Sequence, residues 1–261
     1  MSLNLRFLNF FVPLNFNHKL SDYLWKKIKI MTRLLNQKIP LIIEICFVIE
    51  TGLIVAYFAD FMLHNPFQKL FDLDAEANLP TYFSSIQLLL VAFFLGVFAR
   101  KNFNPAQRHT WTLWVLPVLF LFLSLDEFIS LHEFLGSLTD VFLPGGSRDH
   151  TIFAVTGLWM FILGIPFILF LASIMISMSK YLKKVPGVWF KFNCGFALYL
   201  SGALGVEILG NFTRPGTWGY VLQVAFEEGL EMLGVTFILW AVFNLVKFYG
   251  FRIEIRPYLN E

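Results

Sequence analysis

Apolar residues run along the chain in six stretches, about 41–62, 82–99, 114–138, 151–178, 193–211 and 218–246, separated by short polar or basic segments. Each stretch, at about 1.5 Å per helical residue, is long enough to cross a hydrocarbon core of about 30 Å. None contains Lys or Arg. The pattern predicts an all-α fold, a six-transmembrane-helix bundle over 39–248. Before it, a helical reading of 20–37 puts Leu20, Tyr23, Leu24, Ile28, Met31, Leu34 and Leu35 on one face and Lys26, Lys29 and Arg33 on the other. The segment 1–38 is therefore expected to hold an amphipathic helix lying on an anionic membrane surface. Residues 249–261 form a tail.

Composition agrees with that pattern. Hydrophobic residues make up 57% of the 261 positions, and the mean hydropathy is +0.66, well beyond a soluble domain. The formal net charge of +2 conceals an uneven distribution. All basic residues except Lys69, Arg148 and Arg214 fall in the N-terminal segment, the 100–113 and 179–192 loops and the tail. By the positive-inside rule both termini are expected in the cytoplasm, with the alternate loops, which carry Asp72, Asp74, Glu76, Asp140 and Asp149, on the other side of a bacterial inner membrane. Nothing resembles a cleaved signal peptide. Cys46 and Cys194 lie in different spans, so neither a disulfide framework nor a thiolate metal site is expected.

The acids inside the spans change the picture most. Asp126, Glu127, His132 and Glu133 stand in span three, Glu207 in span five, and Glu227, Glu228 and Glu231 in span six. Counted from the cytoplasmic end, Asp126, Glu127, Glu207 and Glu231 fall at about 18–23 Å, a shared level, with Glu133 and Glu227 at about 28 Å. Rotation at about 100° per residue gathers Asp126, Ser130 and Glu133 on one stripe, and Glu227, Glu228 and Glu231 on another. An ionised acid at a helix centre costs about 2.5–3.5 kcal/mol. Seven would cost on the order of 20 kcal/mol, above a typical stability of about 5–15 kcal/mol. Bound cations, shared protons or a water-filled vestibule must compensate.

Carboxylates from facing helices suit hard divalent ions, as in four-helix carboxylate-bridged sites. On this reading Asp126, Glu127, Glu207, Glu228 and Glu231 bind a divalent metal (Fe, Mn, Zn or Ca), His132 is a further ligand, and Glu133 and Glu227 form a general acid/base pair. The substrate would be a lipid or another membrane-soluble molecule. A cation or proton-coupled transporter uses the same acids as a transit site, and a non-catalytic subunit of a membrane complex holds them protonated as helix-to-helix glue. Glu50 in span one is placed to approach the site from below, Glu44 snorkels, and Asp60 is solvated at the rim. Ser84, Ser85 and Gln87 are expected to link helices. A histidine-rich desaturase and a three-histidine zinc hydrolase are excluded, since His132 is alone in the spans. No phosphate-cradling loop, Ser-His-Asp set or nucleophile elbow is present, and nothing suggests nucleic acid. The Asn211-Phe212-Thr213 sequon is short enough to arise by chance.

Spans three and six share Glu-x-Leu-Gly, which suggests a three-plus-three internal repeat. The small residues Gly195, Ala197, Ser201, Gly202, Ala203 and Gly205 of span five predict close packing at the bundle centre. At Ser124-Leu125-Asp126-Glu127, His132-Glu133 and Glu227-Glu228-x-x-Glu231 the sequence resembles a group of bacterial multi-pass membrane proteins carrying these motifs. That resemblance implies the layout and names no reaction.

Overall fold

Pro40 has extended backbone and starts the first helix, α1, Leu41–Met62. The computed structural model describes residues 39–148 and 151–250. The amphipathic segment over 1–38 and most of the tail lie outside the described residues, as do the side chains of His132 and Glu133. After α1 come a short α2, Gln68–Phe71, and then α3, Leu79–Asn102, which Asn78 caps by accepting from the Thr81 N–H at 3.1 Å. A 3₁₀ turn, Arg108–Trp114, leads into α4, Val115–Ile129, followed by α5, Leu131–Leu138. A π turn at Met160–Gly164 opens α6, Ile165–Leu182. The seventh helix, α7, Val188–Leu200, runs on through a π turn, Ser201–Val206, and a 3₁₀ turn, Glu207–Phe212. Last is α8, Trp218–Phe248, capped by Thr217. No strand occurs among the described residues.

Six of these segments are long and apolar enough to cross a membrane, so the molecule is a multi-pass membrane protein with an all-α bundle. The end carrying the 63–78, 139–159 and 213–217 connections is called upper below. Lipid-facing positions are plain: Val48 and Ile176 expose 71% and 72% of their surface. In lipid the apolar effect does not hold helices together, so close van der Waals contact must. The closest contact is between α7 and α8. A Cβ on Gly234 would lie 2.5 Å from the Tyr199 amide nitrogen, and one on Gly195 would lie 2.7 Å from the Gly234 carbonyl. Further up, a Cβ on Gly202 would meet the Glu227 carbonyl at 2.6 Å. Gly205, by contrast, has open space around it, so close packing holds for part of the small-residue run. At the seam and below it, Phe98, Phe120, Phe192, Ile238 and Leu245 belong to one buried apolar core.

Three expectations need correction. Span three is not one helix to 138, because Ser130 takes left-handed dihedrals (φ 51°, ψ 41°) and divides α4 from α5. The 100° rotation that aligned Glu133 with Asp126 therefore does not carry across Ser130. Nor are the membrane helices free of basic residues. Helix α7 begins at Val188, which brings in Lys191, only 4% exposed, with its ammonium 4.2 Å from the Trp240 ring centroid. Asp60 is not solvated either: it is 5% exposed and accepts the Phe67 N–H at 2.7 Å, turning the chain at the top of α1. Of the expected links, two are present: the Ser85 and Ser124 hydroxyls lie 3.1 Å apart across α3 and α4, and Gln87 reaches Thr236 of α8 at 2.7 Å; Glu44 is exposed. The Asn211 amide donates to Thr156 Oγ1 at 2.8 Å and to the Ile208 carbonyl at 3.1 Å, which gives this residue a structural role.

The glycine seam makes a direct prediction. Gly234→Ala drives a methyl into backbone that cannot move aside and should destabilise the protein by about 1–3 kcal/mol. Gly52→Ala, with nothing within 4 Å, should be neutral or stabilise by up to about 1 kcal/mol. Unfolding midpoints in detergent read both.

Candidate functional site: an acidic chamber in the upper half

The predicted acids come from three separate elements. Asp126 and Glu127 sit in the last turn of α4, Glu207 opens the 3₁₀ turn above α7, and Glu227, Glu228 and Glu231 occupy one side of α8 at i, i+1 and i+4. All six line a single chamber of about 920 Å³. All six are half-buried, so they form the walls of an open vestibule and are not sealed in a dry core. Glu231 is within electrostatic reach of Glu228, Glu127, Glu227 and Glu207, so acids of all three elements share one field.

Local geometry explains how they meet. The π turn at Ser201–Val206 departs from α-helical rotation, and the helix above it re-aims Glu207 toward the chamber. A second π turn, Met160–Gly164, packs beside the first, with Gly164 against Leu204, and contributes Leu163 and Gly164 to the lining. Gly202 lets the first of these turns lie directly against Glu227 and Glu231 of α8. Hydrogen bonds then hold individual acids. The Gln223 amide donates to Glu227 Oε2 at 2.5 Å and its carbonyl oxygen accepts from Thr213 Oγ1 at 3.2 Å. The Trp159 indole N–H donates to Glu207 Oε1 at 3.3 Å.

Several lining residues went unassigned by sequence reasoning. Tyr199 stands within electrostatic reach of Glu231, Glu127, Asp126 and Glu228, close to the meeting point of the acids. Tyr220 donates its hydroxyl proton to Asp74 in the 63–78 connection. Arg148 is the one basic residue among the described lining residues. Its guanidinium is held by Asp140 at 2.8 Å and by the Val155 carbonyl at 2.6 Å. Gly157 (φ 69°) makes room for that pair, since a Cβ there would lie 2.8 Å from Asp140 Oδ1. Spacing gave no signal for these aromatic and loop residues, because their roles depend on which elements become neighbours.

The arrangement differs from the expected ligand shell. Among the described residues no three His, Cys, Asp or Glu side chains stand as a group able to hold a metal ion. A shell around a hard cation has donors at about 2.0–2.6 Å, whereas these carboxylates are spread around a space of 920 Å³. Glu50 does not line the chamber. Glu133 and His132 belong to α5, beyond the Ser130 break.

The chamber lining runs from Leu73 in the 63–78 connection to Glu231 of α8, and the match to a family model, over residues 41–246, spans all of it. The chain belongs to the family described as a domain of unknown function, DUF8692. No curated protein and no solved structure matches it. Every chamber residue named above falls inside the DUF8692 domain, so the acidic vestibule is part of the family unit and not an appendage to it.

Asp74 gives this site a pH signature. Asp74 is exposed as a residue, but partial desolvation of its carboxyl beside Tyr220 pushes it above the usual carboxylate range, and the Asp72 charge adds to that, against the opposing Tyr220 hydrogen bond. Solvent screening keeps the effect small. A carboxyl raised on folding stabilises the fold fully below its unfolded value, about 3.9, and loses that contribution as pH rises through its folded value. The difference in unfolding midpoint between the wild type and Asp74→Asn should therefore move against the wild type as pH rises above about 4, and then level off.

Proposed function

We propose that this protein binds a divalent cation among the chamber carboxylates and uses it on a lipid or another membrane-soluble substrate. The observation that carries this reading is a single chamber walled by acids from α4, the turn above α7 and α8, with Arg148 as its one basic residue among the described lining residues. An open acidic vestibule lowers the cost of the charges by hydration, and a cation lowers it further. The volume, about 920 Å³, matches organic-ligand pockets of about 300–1,000 Å³ and is far larger than an ion needs. Phe122, Leu123, Leu163, Phe167 and Leu204 give it an apolar wall for the substrate's tail.

In this reading Asp126, Glu127, Glu207, Glu228 and Glu231 supply oxygen donors once they draw in around the ion, with His132 as a further ligand. A bound divalent ion would supply Lewis acidity there. Glu227, steadied by Gln223, holds and returns a proton. Arg148 places an anionic substrate group at the mouth. The positive-inside rule, applied to the basic loops, supports a lower end and both termini in the cytoplasm of a bacterial plasma membrane, and in this reading the chamber opens outward. A transporter would need a route down through α8, where Ile238, Leu239 and Val242 are fully buried in apolar packing. That packing favours chemistry at one end of the bundle over transit.

Metal analysis of the full chain, purified in detergent and equilibrated with Mn²⁺ or Zn²⁺, tests the reading. About one or two ions per chain are expected, falling at least tenfold in Glu231→Gln while the helical signal is unchanged. Background-level metal in the wild type overturns it.

A further inference from the structure

Below the chamber a second polar set crosses three helices. Glu50 of α1, Gln87 of α3 and Thr236 of α8 are 5%, 1% and 0% exposed. The Gln87 amide nitrogen donates to Glu50 Oε1 at 2.8 Å and to Thr236 Oγ1 at 2.7 Å, and the Thr236 hydroxyl donates to Glu50 Oε1 at 2.5 Å. All three polar hydrogens of the set are thus used. They leave the Gln87 carbonyl oxygen, Oε1, buried and without a hydrogen-bond partner among the described residues. A buried acceptor without a donor is costly, as is a carboxylate whose charge nothing balances. Cys46, one turn before Glu50 on α1, is the titratable neighbour within electrostatic reach, and it brings no positive charge. Neither Gln87 on α3 nor Thr236 on α8 is titratable. Lys191 of α7 is directed at the Trp240 ring instead.

We propose that Glu50, Gln87 and Thr236 form a second cation site, separate from the acidic chamber, that takes one monovalent cation, a proton or a sodium ion. One carboxylate balances one positive charge, and a divalent ion would leave an excess charge in apolar packing. A proton adds to the carboxyl itself. Sodium would be met by the Glu50 carboxylate, the Thr236 hydroxyl and the Gln87 carbonyl once that amide turns over, an exchange of its two N–H bonds to Glu50 and Thr236 for contact of all three oxygens with the ion. The site is independent of the chamber: none of its three residues lines that space, and Thr236 lies five residues past Glu231, about 7.5 Å along the helix.

Infrared difference spectra of the full chain in lipid vesicles, wild type minus Glu50→Gln, isolate this one carboxyl. In sodium-free choline buffer a single carboxylic-acid C=O band is expected, shifting on transfer to deuterium oxide. In sodium buffer its persistence assigns the proton as occupant, and its replacement by carboxylate bands assigns sodium; either result supports the site. Carboxylate bands that are identical in both buffers overturn it. Should Glu50→Gln fail to fold, Thr236→Val serves: loss of its hydroxyl bond must shift the Glu50 band, and an unmoved band overturns the site. Glu231→Gln must leave the band in place, which separates this result from the fate of the chamber.

Discussion

The whole arrangement depends on how closely α7 and α8 approach. Gly195, Gly202 and Gly234 remove three side chains from one seam, and backbone meets backbone where methyl groups would collide. In lipid such contact is the main source of helix attraction. It also sets the height of everything above it. With the π turn resting on Glu227 and Glu231, the Glu207 turn is held at the level of the α8 acids, and the two elements form two walls of one chamber. Loss of a seam glycine would therefore misplace the chamber acids as well as weaken packing.

The six predicted acids, gathered in one space with Asp74, Glu76 and Asp140 at its lining, are an electrostatic burden that the fold shares out. Some are held by neutral donors, as Gln223 holds Glu227 and Trp159 holds Glu207. All six are half-buried, so hydration offsets part of the cost. The Glu50 set beneath is different in kind. It has three hydrogen bonds, almost no exposure and a single carboxylate, conditions that suit one small positive charge and exclude a large ligand.

The helices were legible because each is a long apolar run whose length alone decides the matter. Asp126, Glu127, Glu207, Glu228 and Glu231 were legible because acids are expensive in such runs, and height along a regular helix can be counted. Counting failed where the helix changed. Nothing in Phe128-Ile129-Ser130-Leu131 marks a left-handed residue, since neither Gly nor Pro is present, so span three read as one piece. Lys191 was assigned to a loop because a buried ammonium stacked on Trp240 is invisible without the neighbouring helix. Asp60 was read from its nearness to the surface, while its backbone contact to Phe67 depends on how the chain turns. Gln87 and Thr236 are 149 positions apart, and only the packing of α3 on α8 makes them partners.

The break at Ser130 has a consequence for the surroundings of the chamber. Thr110–Ile129 already covers the thickness of a hydrocarbon core, so α5 and the turn after it belong at the boundary between oil and water. There Phe134, Leu138, Val141 and Phe142 expose 57–71% of their surface, an apolar ledge beside the acidic opening. Such a ledge suits the depth where acyl chains meet head groups. The opening then samples the ions and phosphates of the lipid surface itself, and the composition of that surface, more than the bulk medium, sets what the acids encounter.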